Sequence, residues 1–142
     1  MTQRKANTGL DFETLRRGIE RHDPDLVLGF YAEDARLSIA NAAAPQASPF
    51  ELRGKAEIAK HLRAVFGQGA SHRVELGEVV GKEVGVRFRE VCEYPDGGRV
   101  VVETMLEVLD SRIVRQVDVV AWDALASRMD ETGSGVAKGE EN

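Results

Sequence analysis

At Gly69 the hydrophobic pattern of this chain changes period, and few folds accommodate the change. Before it, apolar residues recur three and four apart: Phe12, Leu15 and Ile19, then Ile58, Leu62, Val65 and Phe66. After it they alternate, as in Val84, Val86 and Phe88 or Val100, Val102, Leu106 and Val108. The first spacing is the stripe of an amphipathic helix, the second the buried face of a strand. Helices gathered at the start and a strand meander afterwards predict an α+β domain, with helices on one face of an antiparallel sheet.

Local signals set the expected boundaries. Thr8 and Asp11 resemble a capping box for a first helix that runs to His22. Asp23-Pro24 starts a second, because aspartate caps and proline at the first helical position loses no needed N–H. That helix is expected to carry Leu26, Val27, Phe30 and Tyr31 into Ala32. Asp34 to Asn41 reads as a strand, Ala42 to Pro49 as a loop and Phe50 to Arg53 as a short return strand. Gly54 to Phe66 is the third helix, with Gly67 placed for a left-handed C-cap. Four strands follow: His72–Val80, Val84–Tyr94, Arg99–Leu109 and Ile113–Trp122. Gly81-Lys82-Glu83 joins the first two and Asp110-Ser111 the last two, while Pro95-Asp96-Gly97 suits a type I turn with a glycine bulge.

A chain of 142 residues suits one domain. Residues 1–7 are polar and expected to be disordered, and 129–142 form an acidic, glycine-containing tail too poor in apolar residues to offset its ordering entropy. The domain is therefore 8–128. Cys92 is the single cysteine, which excludes an intrachain disulfide and fits a reducing compartment. No segment has the apolar length of a signal peptide or a membrane span, so a cytoplasmic location is expected. The net charge of −5, with basic residues dispersed among acids, argues against nucleic acid as a partner. His22, His61 and His72 lack metal-binding spacing, and no glycine-rich loop precedes a helix, so neither metal nor cofactor is expected.

The order of elements, with Phe30-Tyr31-Ala32-Glu33-Asp34-Ala35, Leu52-Arg53-Gly54-Lys55-Ala56-Glu57-Ile58 and Ile113-Val114-Arg115-Gln116-Val117-Asp118, resembles the nuclear transport factor 2-like superfamily and its SnoaL-like branch. The likeness runs from about Asp11 to Asp123. It implies a cone-shaped, curved antiparallel sheet with three N-terminal helices packed on its concave face around a pocket for a small apolar or polycyclic molecule. It also implies a choice among isomerases, cyclases, epoxide hydrolases and non-catalytic binding modules, which fold alone does not make. The base of the steroid isomerases falls at Ile39, their tyrosine donor at Leu15 and their protonated aspartate at Met105 or Leu106, all apolar. That argues against their mechanism. Of the epoxide-hydrolase set, Asp118 matches one aspartate, while Leu37 and Ile39 stand where tyrosine and asparagine are needed. In SnoaL-like cyclases an acid in the last strand shuttles a proton, again at Asp118.

Strand parity proposes the lining. Phe88, Glu90 and Cys92 share a face, opposite Arg87 and Arg89; Thr104 shares one with Val102 and Leu106. In the last strand, hydrophobicity alone would turn Val117 and Val119 inward, whereas the resemblance turns Gln116, Asp118, Val120 and Trp122 inward. A two-residue turn at Asp110-Ser111 would set Asp118 across from Glu103, and a three-residue turn across from Thr104. The expectation adopted is Asp118 as acid/base, or else a surface aspartate in an ion pair. Gln116, Thr104, Glu90, Asn41 and His72 are its candidate polar neighbours, and Leu37, Ile39, Phe88 and Trp122 the apolar wall. Glu90 is alternatively a partner for Arg73, and His61 a surface residue. Both faces of the last strand are apolar enough that the outer sheet face is expected to form a homodimer.

Overall fold

The structure, a computed structural model, describes residues 10–44, 46–80 and 85–122. The expected tails, Thr8 and the Gly81-Lys82-Glu83 turn lie outside them. The order is α1 (Phe12–Glu20), α2 (Pro24–Leu28), β1 (Tyr31–Asn41), β2 (Phe50–Arg53), α3 (Lys55–Phe66), β3 (Ser71–Val80), β4 (Gly85–Glu93), β5 (Arg99–Leu109) and β6 (Arg112–Trp122). The strands form one six-stranded sheet in the order β2-β1-β6-β5-β4-β3.

The α+β class holds, but the expected sheet is corrected. β1 runs parallel to β6, pairing Leu37 with Gln116 and Ile39 with Asp118, so the sheet is mixed rather than antiparallel. Among the described residues its edge strands are β2 and β3, and it is neither closed nor strongly curved, so it is not a cone. The physical reason lies in the path of the chain. Helices α1 and α2 precede β1 on one side, and a long meander returns β6 to the edge that β1 left unpaired.

Two local boundaries differ from expectation. Helix α2 stops at Leu28, where Gly29 caps it through bonds to Asp25 and Leu26, and Tyr31 already pairs with Ile113. The Phe30 carbonyl accepts the Ile113 N–H at 2.8 Å, which commits this segment to the sheet instead of the helix. Gly67 ends α3 in the right-handed region at φ −82°, and the left-handed turn falls at Gly69, φ 82°. Asp11 is itself the N-cap of α1, accepting from the Thr14 N–H.

The helices cover one face. Leu15, Val27, Leu37, Ile58, Leu106 and Ile113 are each at most 2% exposed and form the centre of the core. Helix α1 stands over β3, where the Val74 N–H donates to Glu20 at 2.8 Å and Arg16 holds the same carboxylate at 3.0 Å. Gly77 lies in an irregular stretch between Glu75 and Glu78; a Cβ there would come within 2.3 Å of the Phe12 ring. That glycine lets Phe12 reach Phe88, 5.4 Å away between centroids. On the outer face Arg89 pairs with Glu103 at 2.8 Å, as strand parity predicts. This exposed pair adds at most about 1 kcal/mol.

Candidate functional site

Between the helices and the sheet lies a cavity of about 180 Å³. Leu15, Ile19 and Val27 close it from α1 and α2, and His61, Leu62 and Phe66 from α3. The sheet contributes Leu37 and Ile39, Phe88, Val102 and Leu106, and a short run of polar groups: Glu90, Gln116 and Asp118.

Asp118 reaches this face because of a hairpin detail. Asp110 and Ser111 both adopt positive φ, 52° and 66°, as the central residues of a two-residue type I′ turn must. Leu109 therefore pairs with Arg112, which alone would set Asp118 opposite Glu103. The register then shifts by one between Val108–Ile113 and Glu107–Arg115, leaving Val114 as the extra residue. Beyond this bulge Asp118 faces Thr104, and Gln116 faces Leu106.

A directed hydrogen-bond chain ends on the Asp118 carboxyl. The Tyr31 hydroxyl donates to Gln116 Oε1, and Gln116 Nε2 donates to Asp118 Oδ1 at 2.9 Å. Thr104 Oγ1 donates to the same oxygen at 3.0 Å. Among the described residues Oδ2 has no donor, so it is the oxygen left for a guest. Burial is the largest influence on this acid and pushes it up from 3.8 to about 7. The bonds from Gln116 and Thr104 oppose that rise, and the Glu90 charge adds to it. Burial also holds the Tyr31 hydroxyl far above its ordinary range, so it stays a neutral donor. A carboxyl with this pKa exists in both forms near neutrality and can give or take a proton.

The other expected site residues are placed as follows. Leu37, Ile39, Phe88, Glu90 and Gln116 line the cavity. Thr104 lies 2% exposed behind Asp118. Trp122, expected inward, is 65% exposed at the strand end, 6.5 Å from the Tyr94 ring. Asn41 is exposed and accepts from the Ala43 N–H, which ties it to the loop. His72 is buried and is not in the wall; its Nδ1 lies 2.5 Å from Glu90 Oε2, while Arg73 pairs with Glu75 instead.

Sequence reasoning missed two things. His61, read as a surface residue, lines the cavity, and burial lowers its pKa. The stripe Ile58, Leu62, Val65 passes beside it, and that proximity was the available signal. It also missed that His72 and Cys92 are cross-strand partners, with Cys92 Sγ 3.4 Å from His72 Nδ1. No spacing motif along the chain reveals a contact made between two strands. Burial, with the Glu90 charge and hydrogen bond, pushes the Cys92 thiol up to about 12, so it is not a thiolate nucleophile.

An open mixed sheet under three helices, with an apolar cavity and an acid raised towards neutrality, defines a pocket domain of the α+β class. Residues 12–128 match the family model of the SnoaL-like domain, and the chain belongs to that family. Among solved structures it is similar to a nuclear transport factor 2-like protein of unknown function from Mesorhizobium loti, at 22% identity and TM-score 0.66, covering 84% of this chain and 96% of that one. It is similar to a candidate polyketide cyclase from Xanthomonas campestris pv. campestris, at 20% identity and TM-score 0.62, over 83% and 92% of the two chains. It is also similar to an LEH-like epoxide hydrolase from M. tuberculosis, at 18% identity and TM-score 0.60, over 87% and 88%. No curated protein matched the chain. At these identities the likeness shows the fold and leaves the chemistry to the residues. Among the described residues no helix is long and apolar enough to cross a membrane.

Proposed function

We propose that this domain binds a small apolar molecule and acts on it by proton transfer through Asp118, in the manner of a cyclase, isomerase or hydrolase. The observation that carries the reading is the convergence of Gln116 and Thr104 on one oxygen of a carboxyl raised to about 7. Those bonds fix the orientation of the acid and leave the other oxygen to the guest. A volume near 180 Å³ resembles that of a dry cavity of about 150 Å³ that holds benzene, which points to a ligand of one or two rings. A larger polycyclic substrate would need the helices to move. Gln116, Tyr31 and Thr104 act as positioning residues, and Glu90 supplies a second carboxylate on the same wall.

A binding module without turnover is the second reading, favoured by Leu15, Ile39 and Leu106, which present hydrocarbon to the cavity. In either reading we place a homodimer on the outer sheet face, where Val119 and Leu109 are exposed. The test uses a panel of one- and two-ring ketones, epoxides and phenols, with thermal shift for binding and chromatography for turnover. Hits should bind wild type and Asp118→Asn, while turnover falls about 10²- to 10⁴-fold in the variant, the usual scale for a lost acid/base. Equal binding with no turnover by either protein would leave only the module.

A further inference from the structure

On the same face of the sheet, nearer the end of β4 than the Asp118 network, three side chains of different chemistry meet. His72 comes from β3, and Glu90 and Cys92 come two residues apart from β4. His72 and Cys92 are Cα partners across the strand pair, and Glu90 lies on the diagonal. One nitrogen, one carboxylate oxygen and the sulfur all lie within 4.8 Å of one another. We propose that this trio is a site for a divalent borderline cation, Zn²⁺ by donor chemistry, with its open coordination position turned to the cavity.

The spacing supports the assignment. Tetrahedral zinc with ordinary bond lengths separates a nitrogen or oxygen ligand from a sulfur ligand by about 3.6 Å. Here Cys92 Sγ lies 3.4 Å from His72 Nδ1 and 3.8 Å from Glu90 Oε2. The third edge, from His72 Nδ1 to Glu90 Oε2, is 2.5 Å and would have to open by roughly 0.8 Å towards the tetrahedral separation. Glu90 is the one member with appreciable exposure, so its side chain is the one free to turn. Binding would displace the proton of the Cys92 thiol, and the resulting thiolate with imidazole selects zinc over magnesium or calcium, which prefer all-oxygen shells. Three protein ligands with one position left over is the arrangement of reactive zinc sites.

The surroundings carry an independent mark. His72 Nε2 and His22 Nε2 are both buried without a hydrogen-bond partner among the described residues. The two rings stand edge to face at 4.8 Å, and Phe66 packs on both. His22 holds this place with φ 57°, a conformation uncommon outside glycine. Neither nitrogen is a proposed ligand, since His72 would bind through Nδ1, but two unpaired buried imidazole nitrogens are costly for a cluster whose purpose is packing alone. Glu90 and Cys92 both line the cavity, which gives an ion a path of entry.

The inference does not depend on the proposed acid/base role, and its test separates the two. Zinc binding by the full chain is measured calorimetrically, and Co²⁺ is then substituted to give a spectroscopic signature. The expected result is one Zn²⁺ per chain, and a sulfur-to-cobalt charge-transfer band that disappears in Cys92→Ser. Zinc affinity should fall at least ~100-fold in Cys92→Ser and in His72→Gln, at or above the upper end of what loss of an outer-shell partner costs. Cys92→Ser is nearly isosteric, and its thermal midpoint in chelator checks that it folds; if His72→Gln does not fold, the serine variant decides alone. Asp118→Asn should bind zinc as wild type does. A Cys92→Ser protein that binds zinc as tightly as wild type, a cobalt complex without the sulfur band, or an equal loss in Asp118→Asn would each overturn the site.

Discussion

Wild type should lose stability relative to Asp118→Asn as pH rises from 4 to 8, by up to about 4 kcal/mol. The sign follows from where the proton sits. Burial raises the Asp118 carboxyl from 3.8 to about 7 in the folded chain, while in the unfolded chain it keeps its ordinary value. Between those two values the folded state holds a proton that the unfolded state has released. The contribution is therefore fully present below about 4 and is lost as pH rises through about 7. A neutral asparagine keeps an oxygen for Gln116 and Thr104 and carries no charge to desolvate. Urea unfolding of both proteins at pH 4 and pH 8 isolates this group, since every other titration is common to the pair. Parallel pH profiles would show that the carboxyl is solvated after all.

The second large effect belongs to Phe88→Ala, which should cost about 3–5 kcal/mol. Phe88 is 3% exposed, packs against Phe12 from α1 and forms part of the cavity wall. Truncation loses the transfer energy of the ring and adds new void to an existing one. Collapse is hindered because the space beside it is already unfilled, so relaxation can recover little. The same variant should bind bulkier ring systems than wild type. A cost under about 1 kcal/mol in urea unfolding would mean that the helices close over the gap, and that the cavity is not a rigid feature of the fold.

Much of this architecture was legible because periodicity reports burial directly. The stripes through Leu15 and Ile58 and the alternation through Val86 and Phe88 fall on buried positions. The turn at Pro95-Asp96-Gly97 forms as its residues dictate, with Gly97 at φ 94° and its N–H bonded to the Tyr94 carbonyl. What failed is what depends on partners distant in sequence. The parallel pairing of β1 with β6 brings Ile39 beside Asp118 across 79 positions, and no local pattern encodes it. Tyr31 reads as the end of a helix by its neighbours, yet pairing with Ile113 makes it a strand residue. Trp122 has the inward parity of Asp118 but sits where the sheet runs out, so parity no longer implies burial.

The Asp118 register shows the same division at one residue. Its pocket-facing side depends on the bulge at Val114, which the turn sequence Asp110-Ser111 does not announce. The two-residue turn and the orientation opposite Thr104 had looked like alternatives. The bulge makes them compatible. His72 and Cys92 are the harder case, because a histidine and a cysteine twenty positions apart gain meaning only once β3 and β4 are in register.

Carbon-13 labelling of the aspartate side chains, with an NMR titration of the Asp118 carboxyl assigned through Asp118→Asn, measures the central quantity at the atom concerned. A midpoint near 7 is the predicted result, shifted further by an apolar guest that displaces cavity water. A midpoint near 4, unmoved by any guest, would place this carboxyl in bulk-like solvent and contradict the acid/base role at its source.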